Sequence, residues 1–124
     1  MPSRRAEPAR RALLCALGLA LIVGARAEAA EAVLQGLDKV TARVSTFAAP
    51  IGLPVRFGTL EIVADTCVKK PPEEPPETAA FLDIYELRPG EPGQKIFSGW
   101  MFASSPALNP LEHPVYDVWL KDCR

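Results

Sequence analysis

The stretch that decides the fold runs from residue 55 to residue 65 and reads Val-Arg-Phe-Gly-Thr-Leu-Glu-Ile-Val-Ala-Asp. In its second half Leu60, Ile62 and Ala64 fall on one face, and more polar residues alternate with them. A period of two residues is typical of a β-strand with one buried face. Gly58 interrupts the pattern, and we expect it to hold a β-bulge.

Four more runs of strand-forming residues flank this stretch, and turn residues separate them. These runs are 40–47, 79–87, 95–103 and 115–123. We expect the 40–47 run, which ends before Pro50, to form a hairpin with the 55–65 run. Residues 29–36 could form one helical turn or remain extended. Short strands with no helix between them predict an all-β fold, a small antiparallel sandwich or barrel of about five to seven strands.

The run at 95–103 does not alternate. Ile-Phe-Ser-Gly-Trp-Met-Phe-Ala, residues 96–103, is apolar on both faces. This pattern favours a central strand that is covered on both sides. The alternative is a strand whose outer face contacts a partner.

The first 29 residues predict a cleavable signal peptide. Arg4, Arg5, Arg10 and Arg11 precede twelve uncharged, mostly aliphatic residues at 12–23, and small residues follow. A twelve-residue helix is about 18 Å long, too short for a hydrocarbon layer of roughly 30 Å. We therefore expect a periplasmic protein with a single β-rich domain at residues 30–124. General secretory and twin-arginine export both remain open.

The charge of the exported part excludes some partners. From Glu28 onward 14 acidic residues outnumber 9 basic residues, which gives a net charge of −5. An acidic domain without a basic cluster is a poor ligand for nucleic acid or anionic lipid. No segment of the mature chain is long and apolar enough to span a membrane.

Two cysteines remain after the leader, Cys67 and Cys123. An even count in an oxidising compartment predicts that they form a disulfide. Strict alternation places both on the face opposite the main apolar residues of their strands, at the C-terminal ends. The bridge therefore requires the strand of the 55–65 run and the last strand to end within roughly 7 Å of each other.

The chain lacks the usual parts of an enzyme. Its one histidine, His113, lies between two nearby prolines and is expected in a loop. No nucleophile elbow, zinc-ligand spacing, haem motif, calcium loop or phosphate loop is present. We expect no catalytic residue, no metal site and no cofactor. A hydrolase whose site is assembled only by folding remains an alternative.

Two kinds of surface residue are candidates for binding. Residues 69–77 form a proline-rich segment that is either a stiff connector or a preformed docking segment. Its prolines are Pro71, Pro72, Pro75 and Pro76. Trp119 and Tyr85 could line a platform for an envelope glycan or small ligand, although aromatic residues more often fill a core. Trp119 is expected to be partly exposed, because it shares a face with charged residues.

Several segments together carry a family resemblance. They are residues 36–41, 57–62, 71–76, 111–119 and, most specifically, Phe-Ser-Gly-Trp-Met-Phe-Ala-Ser-Ser-Pro at 97–106. Through them the chain resembles the small exported bacterial proteins known as domain of unknown function 2155, from about Leu34 to Cys123. Both cysteines fall at the family's cysteine positions. The resemblance carries no known activity, but it implies a Gram-negative periplasmic location and a role beside an inner-membrane complex, such as respiratory complex I.

We therefore expect a non-enzymatic domain that binds an envelope protein or membrane complex. A glycan-binding or small-ligand-binding module is the main alternative.

Overall fold

The computed structural model describes residues 29–70 and 77–124. These residues form eight strands: β1 (Glu31–Asp38), β2 (Arg43–Pro50), β3 (Pro54–Phe57), β4 (Leu60–Lys69), β5 (Thr78–Glu86), β6 (Gln94–Phe102), β7 (Leu111–Glu112) and β8 (Tyr116–Cys123). Residues 1–28 of the predicted signal peptide and the four prolines at 71, 72, 75 and 76 lie outside the described residues. In the described ranges no helix is long and apolar enough to cross a membrane.

The strands form two antiparallel sheets with a shared core. One sheet has the order β2-β1-β8-β7 and the other has the order β3-β4-β5-β6. The largest fully buried side chains come from both sheets; they are Leu34, Leu60, Ile62, Leu82, Ile84, Val118 and Leu120. Each such side chain stabilises the fold by roughly 1.5–3 kcal/mol relative to an exposed one. The predicted all-β antiparallel sandwich is confirmed, with eight strands where about five to seven were expected.

The segment whose conformation the sequence left open is extended. It forms β1, which pairs with β2 on one side and with β8 on the other. Ala32 and Leu34 are fully buried. Gly36 continues this inner face, where the ring of Phe57 from the opposite sheet lies directly over its Cα. β1 is therefore an inner strand of the first sheet.

The expected hairpin between the 40–47 and 55–65 runs is wrong, because the two runs lie in different sheets. β2 begins only at Arg43 and pairs with β1. Before it, Oδ1 of Asp38 accepts hydrogen bonds from the backbone N–H groups of Val40 at 2.9 Å and Thr41 at 3.2 Å. An aspartate that bonds the backbone two residues on favours a turn over a strand. Val40 therefore lies in the β1–β2 turn and is 78% exposed.

Gly58 forms a turn and not the expected bulge. It is the first of two residues between Phe57 and Leu60, and its φ is +59°. A glycine with positive φ at this position is characteristic of the type II′ turn that joins paired strands tightly. β3 and β4 are therefore a hairpin within the second sheet.

A β-bulge in β4 corrects the predicted orientation of Cys67. Ala64 and Thr66 pair with adjacent residues of β5, so Asp65 between them is an extra residue. One extra residue shifts the side-chain alternation to the other face. Cys67 therefore points into the core and is 2% exposed, whereas strict alternation placed it outside.

A second bulge does the same for Cys123. Leu120 and Asp122 pair with adjacent residues of β1, which leaves Lys121 as the extra residue of β8. Cys123 points inward and is also 2% exposed. The two cysteines form the predicted disulfide, with their Cα atoms 5.7 Å apart. The prediction that β4 and β8 end close together is confirmed.

Candidate functional site

The outer face of the second sheet has an apolar half. The ring of Phe81 in β5 meets the ring of Trp100 in β6 edge to face, with centroids 5.5 Å apart and planes at 82°. Trp100 is 41% exposed, and Val68 in β4 is 47% exposed. Cross-strand pairing places Phe102 beside Ala79 in the next row. We refer to these residues as the Trp100 face, which consists of Val68, Ala79, Phe81, Trp100 and Phe102.

The prediction that the 95–103 run is a central strand is wrong. β6 is the edge strand of the second sheet. Its inner face contributes the buried Met101 and the partly buried Phe97 to the core. Its outer face presents Trp100. A strand can therefore be apolar on both faces either because both faces are buried or because one of them forms an apolar surface. The sequence pattern does not distinguish these two cases.

The edge of β6 is protected against pairing with another strand. The register shifts between Ile84 and Tyr85 of β5, which leaves Ile96 as an extra residue in β6. Asn109 donates a hydrogen bond from its side-chain amide to the carbonyl oxygen of Trp100 at 2.8 Å. Lys95 is an exposed charge on the same strand. Bulges, lysines and capped carbonyls are the means by which proteins block edge-to-edge pairing, so a partner would bind the face and not the edge.

The polar half of the same face contains a pair of carboxylates, Asp65 and Asp83. A side-chain hydrogen bond to Asp83, then burial, then the negative charge of Asp83 raise the pKa of Asp65 to about 6. The same hydrogen bond, followed by one from Ser98, lowers the pKa of Asp83. Oδ1 of Asp83 is buried without a hydrogen bond, and Lys95 Nζ lies 3.5 Å away. A proton held by Asp65 supplies the hydrogen for the bond between the two carboxylates.

The sequence alone does not predict this pair. Asp65 is the bulge residue of β4, and it meets Asp83 across the sheet. No residue type at position 65 marks a bulge, so the sequence held no usable signal for it.

His113 lies in the loop after β7, as predicted, and connects the two sheets. Its Nε2 is 2.6 Å from Oε2 of Glu86 in β5. Its Nδ1 accepts hydrogen bonds from the N–H groups of Val115 at 3.0 Å and Tyr116 at 3.3 Å. Since Nδ1 is an acceptor, Nε2 carries the hydrogen and donates a hydrogen bond to the carboxylate of Glu86. Neither nitrogen is left to take a proton from a serine, so this arrangement does not form a nucleophilic triad.

Trp119 lies on the outer face of the first sheet and is partly exposed, as predicted. Its Nε1 donates a hydrogen bond to Oε1 of Gln35 at 3.1 Å. The indole lines an open groove of about 290 Å³, which we refer to as the Trp119 groove. The groove is bounded by Pro106, Ala107, Pro110, Glu112, Asp117 and Trp119.

The structure does not bring Trp119 and Tyr85 together. Trp119 is in β8 of the first sheet, whereas Tyr85 is in β5 of the second. On β5 the fully buried Ile84 points inward, so Tyr85 points to the opposite outer face, where Lys95 Nζ is 5.5 Å from its ring centroid. One glycan platform built from both aromatic side chains has no support in this geometry.

The proline-rich segment connects β4 to β5. Lys70 N–H donates a hydrogen bond to the Glu77 carbonyl oxygen at 2.9 Å, and Lys69 pairs with Thr78. The segment therefore leaves and re-enters the second sheet at one point, next to the Trp100 face. Within residues 29–70 and 77–124, no three histidine, cysteine or carboxylate side chains are placed to hold a metal ion.

Comparison with known proteins identifies a family but no activity. Residues 32–123 match the family described as "Uncharacterized protein conserved in bacteria (DUF2155)". A protein of Rickettsia prowazekii (strain Madrid E), itself described as uncharacterized, is 31% identical over 87 residues. These residues cover 70% of this chain and 56% of the relative, so the chain spans little more than half of that protein's length. No solved structure matches.

Proposed function

The chain belongs to this family of proteins conserved in bacteria (DUF2155), and we propose that it acts in the periplasm as a non-enzymatic domain that binds another envelope protein. The proposed location rests on the leader at residues 1–29 and on the pair of cysteines suited to an oxidising compartment. The resemblance suggests an inner-membrane complex as the partner, and respiratory complex I is one such complex.

The observation that carries the proposal is the exposure of Trp100 on the Trp100 face. The rings of Phe81 and Trp100 pack edge to face, and this contact orders the indole, while 41% of Trp100 remains open to solvent. A rigid, exposed aromatic side chain with apolar neighbours is the usual anchor of a protein–protein interface. Because the ring is already ordered, binding costs little side-chain entropy.

The charge of the domain indicates the chemistry of the partner. The exported part carries a net charge of −5. We therefore infer a partner with an apolar pocket for the indole and basic side chains around it. Oppositely charged rims favour association and suppress wrong partners.

The non-enzymatic part of the proposal is supported by His113. Both ring nitrogens are engaged, one by Glu86 and the other by backbone N–H groups. A structural link between two sheets accounts for this histidine without a catalytic role.

Photocrosslinking in living cells tests the proposal. A photoreactive residue replaces Trp100 in one strain and Leu53 in a control strain; Leu53 is 59% exposed in the turn between β2 and β3. We expect position 100 to give one discrete crosslinked envelope protein and position 53 to give none. Crosslinks at both positions alike, or a free monomer at position 100, would contradict the proposal.

The identified partner then allows a quantitative test. Trp100→Ala removes the anchor, and a hot-spot loss of about 2 kcal/mol corresponds to roughly 30-fold weaker binding. Leu53→Ala should leave the affinity unchanged. Leu53→Ala should retain the wild-type unfolding midpoint, whereas Trp100→Ala should lower it, because Trp100 is only 41% exposed and packs against Phe81; the affinities are therefore compared under conditions in which both variants are folded.

A further inference from the structure

The indole of Trp119 lines the Trp119 groove, and its polar edge is already engaged. The one donor of the ring, Nε1, is already bonded to Gln35, and Gln35 in turn donates to Thr46 Oγ1 at 3.1 Å. This chain of hydrogen bonds fixes the ring against the first sheet. The indole surface that lines the groove is therefore ordered and consists of ring carbons, and Pro106 and Pro110 add apolar walls.

The rim of the groove is negatively charged. Glu112 in β7 pairs directly with Asp117 in β8, and two like charges in such positions repel each other. Lys39 compensates the charge of Asp117, because its Nζ lies 2.8 Å from Asp117 Oδ1. Glu112 is exposed and has no ion pair among the residues that the structure describes. Lys39 therefore already pairs with Asp117 at the rim, and the carboxylate of Glu112 is available to a second positively charged side chain.

We propose that the Trp119 groove binds an arginine side chain of another protein, with the guanidinium stacked on the indole of Trp119 and paired with Glu112. A planar cation gains both from an aromatic face and from a nearby carboxylate. A volume of about 290 Å³ is enough for one side chain, and the groove is open, whereas small-molecule pockets enclose most of their ligand. The groove and the Trp100 face lie on different sheets, so this site does not depend on the proposed function.

The test uses the exported protein with Trp100→Phe, which leaves Trp119 as its one tryptophan of the two in the chain. The indole N–H resonance is then followed by NMR during titration with Nα-acetyl-arginine amide. The neutral isostere Nα-acetyl-citrulline amide is titrated in parallel, and so is Nα-acetyl-lysine amide. We expect a saturable shift with arginine at millimolar concentration, a weaker one with lysine and none with citrulline.

The carboxylate is tested with a matched pair of variants. Glu112→Gln should weaken arginine binding about 1.4- to 5-fold, as expected for an exposed ion pair of about 0.2–1 kcal/mol. Glu91→Gln, an exposed carboxylate in the β5–β6 turn, should have no effect. Equal shifts with citrulline, no shift with arginine, tighter binding of lysine, or an unchanged affinity in Glu112→Gln would each overturn the proposal.

Discussion

Removal of the disulfide should cost a large share of the stability of this domain. The bridge joins residues 56 positions apart, so it closes a loop of 57 residues. Loss of the loop-closure constraint in the unfolded chain corresponds to about 4 kcal/mol at 25 °C. Domains of this size are stable by roughly 5–15 kcal/mol. We therefore expect the variant Cys67→Ala with Cys123→Ala to lose about 4 kcal/mol, measured by urea unfolding with linear extrapolation.

A second variant tests the two bulges. Both cysteines are 2% exposed on the inner face, so replacement by serine places two hydroxyl groups in the core. The nearest acceptors are backbone carbonyl oxygens 3.7 and 3.8 Å from the sulfurs, which is too far for a hydroxyl hydrogen bond, and each buried hydroxyl without a partner costs roughly 1–3 kcal/mol. The double serine variant should therefore be less stable than the double alanine variant by about 2 kcal/mol or more. Equal stabilities would refute the inward orientation, and a loss below about 1 kcal/mol in the alanine variant would refute the role of the bridge.

Two further predictions concern the packing between the sheets and the carboxylate pair. Gly36→Ala should lower the free energy of unfolding by about 1–3 kcal/mol, because the added Cβ would lie 2.5 Å from Cζ of Phe57; an unchanged urea midpoint would contradict this. Because the pKa of Asp65 is raised from 3.8 to about 6 in the folded protein, its contribution to stability is fully present below about pH 3.8 and is lost as pH rises through about 6. The lowered pKa of Asp83 acts in the opposite sense, since its contribution is present above the ordinary value and is lost as pH falls below it. Asp65→Asn should therefore make stability independent of pH between about 4 and 7, whereas the wild type should lose stability over that range; identical pH profiles would count against a shared proton.

The period-two pattern predicted most of the fold because burial follows it directly. Leu60, Ile62 and Ala64 all point into the core, as their spacing indicated. The pattern failed where the backbone changed its count. Asp65 and Lys121 each add one residue, and each reverses the face of every residue after it. Ordinary polar residues occupy both positions, so the sequence does not mark them.

The local pattern also did not predict which strands pair with each other. Asp38 accepts hydrogen bonds from the backbone N–H groups of Val40 and Thr41 and so forms a turn. This turn leads the chain back along β1, and β2 pairs with it. Side-chain hydrogen bonds of this kind compete with strand formation, so the pattern of apolar residues does not predict them. For the same reason, the local pattern predicted only part of the candidate site. Trp119 was correctly expected to be partly exposed from its charged neighbours. The exposure of Trp100 follows because the first sheet covers only the inner face of the second, and the local pattern does not show this layering.

The bulge at Asp65 links the stability of the domain to its candidate surface. The one extra residue turns Cys67 inward to form the bridge, and it also places a carboxylate beside Asp83 on the outer face. Directly behind the Trp100 face, Cys67 pairs with Ala80, and Ala80 pairs with Met101. The disulfide therefore anchors the inner side of the same three strands whose outer side carries Trp100. Because bulges recur next to functional sites, where they redirect side chains, this irregularity is a structural reason to place the binding surface on the second sheet.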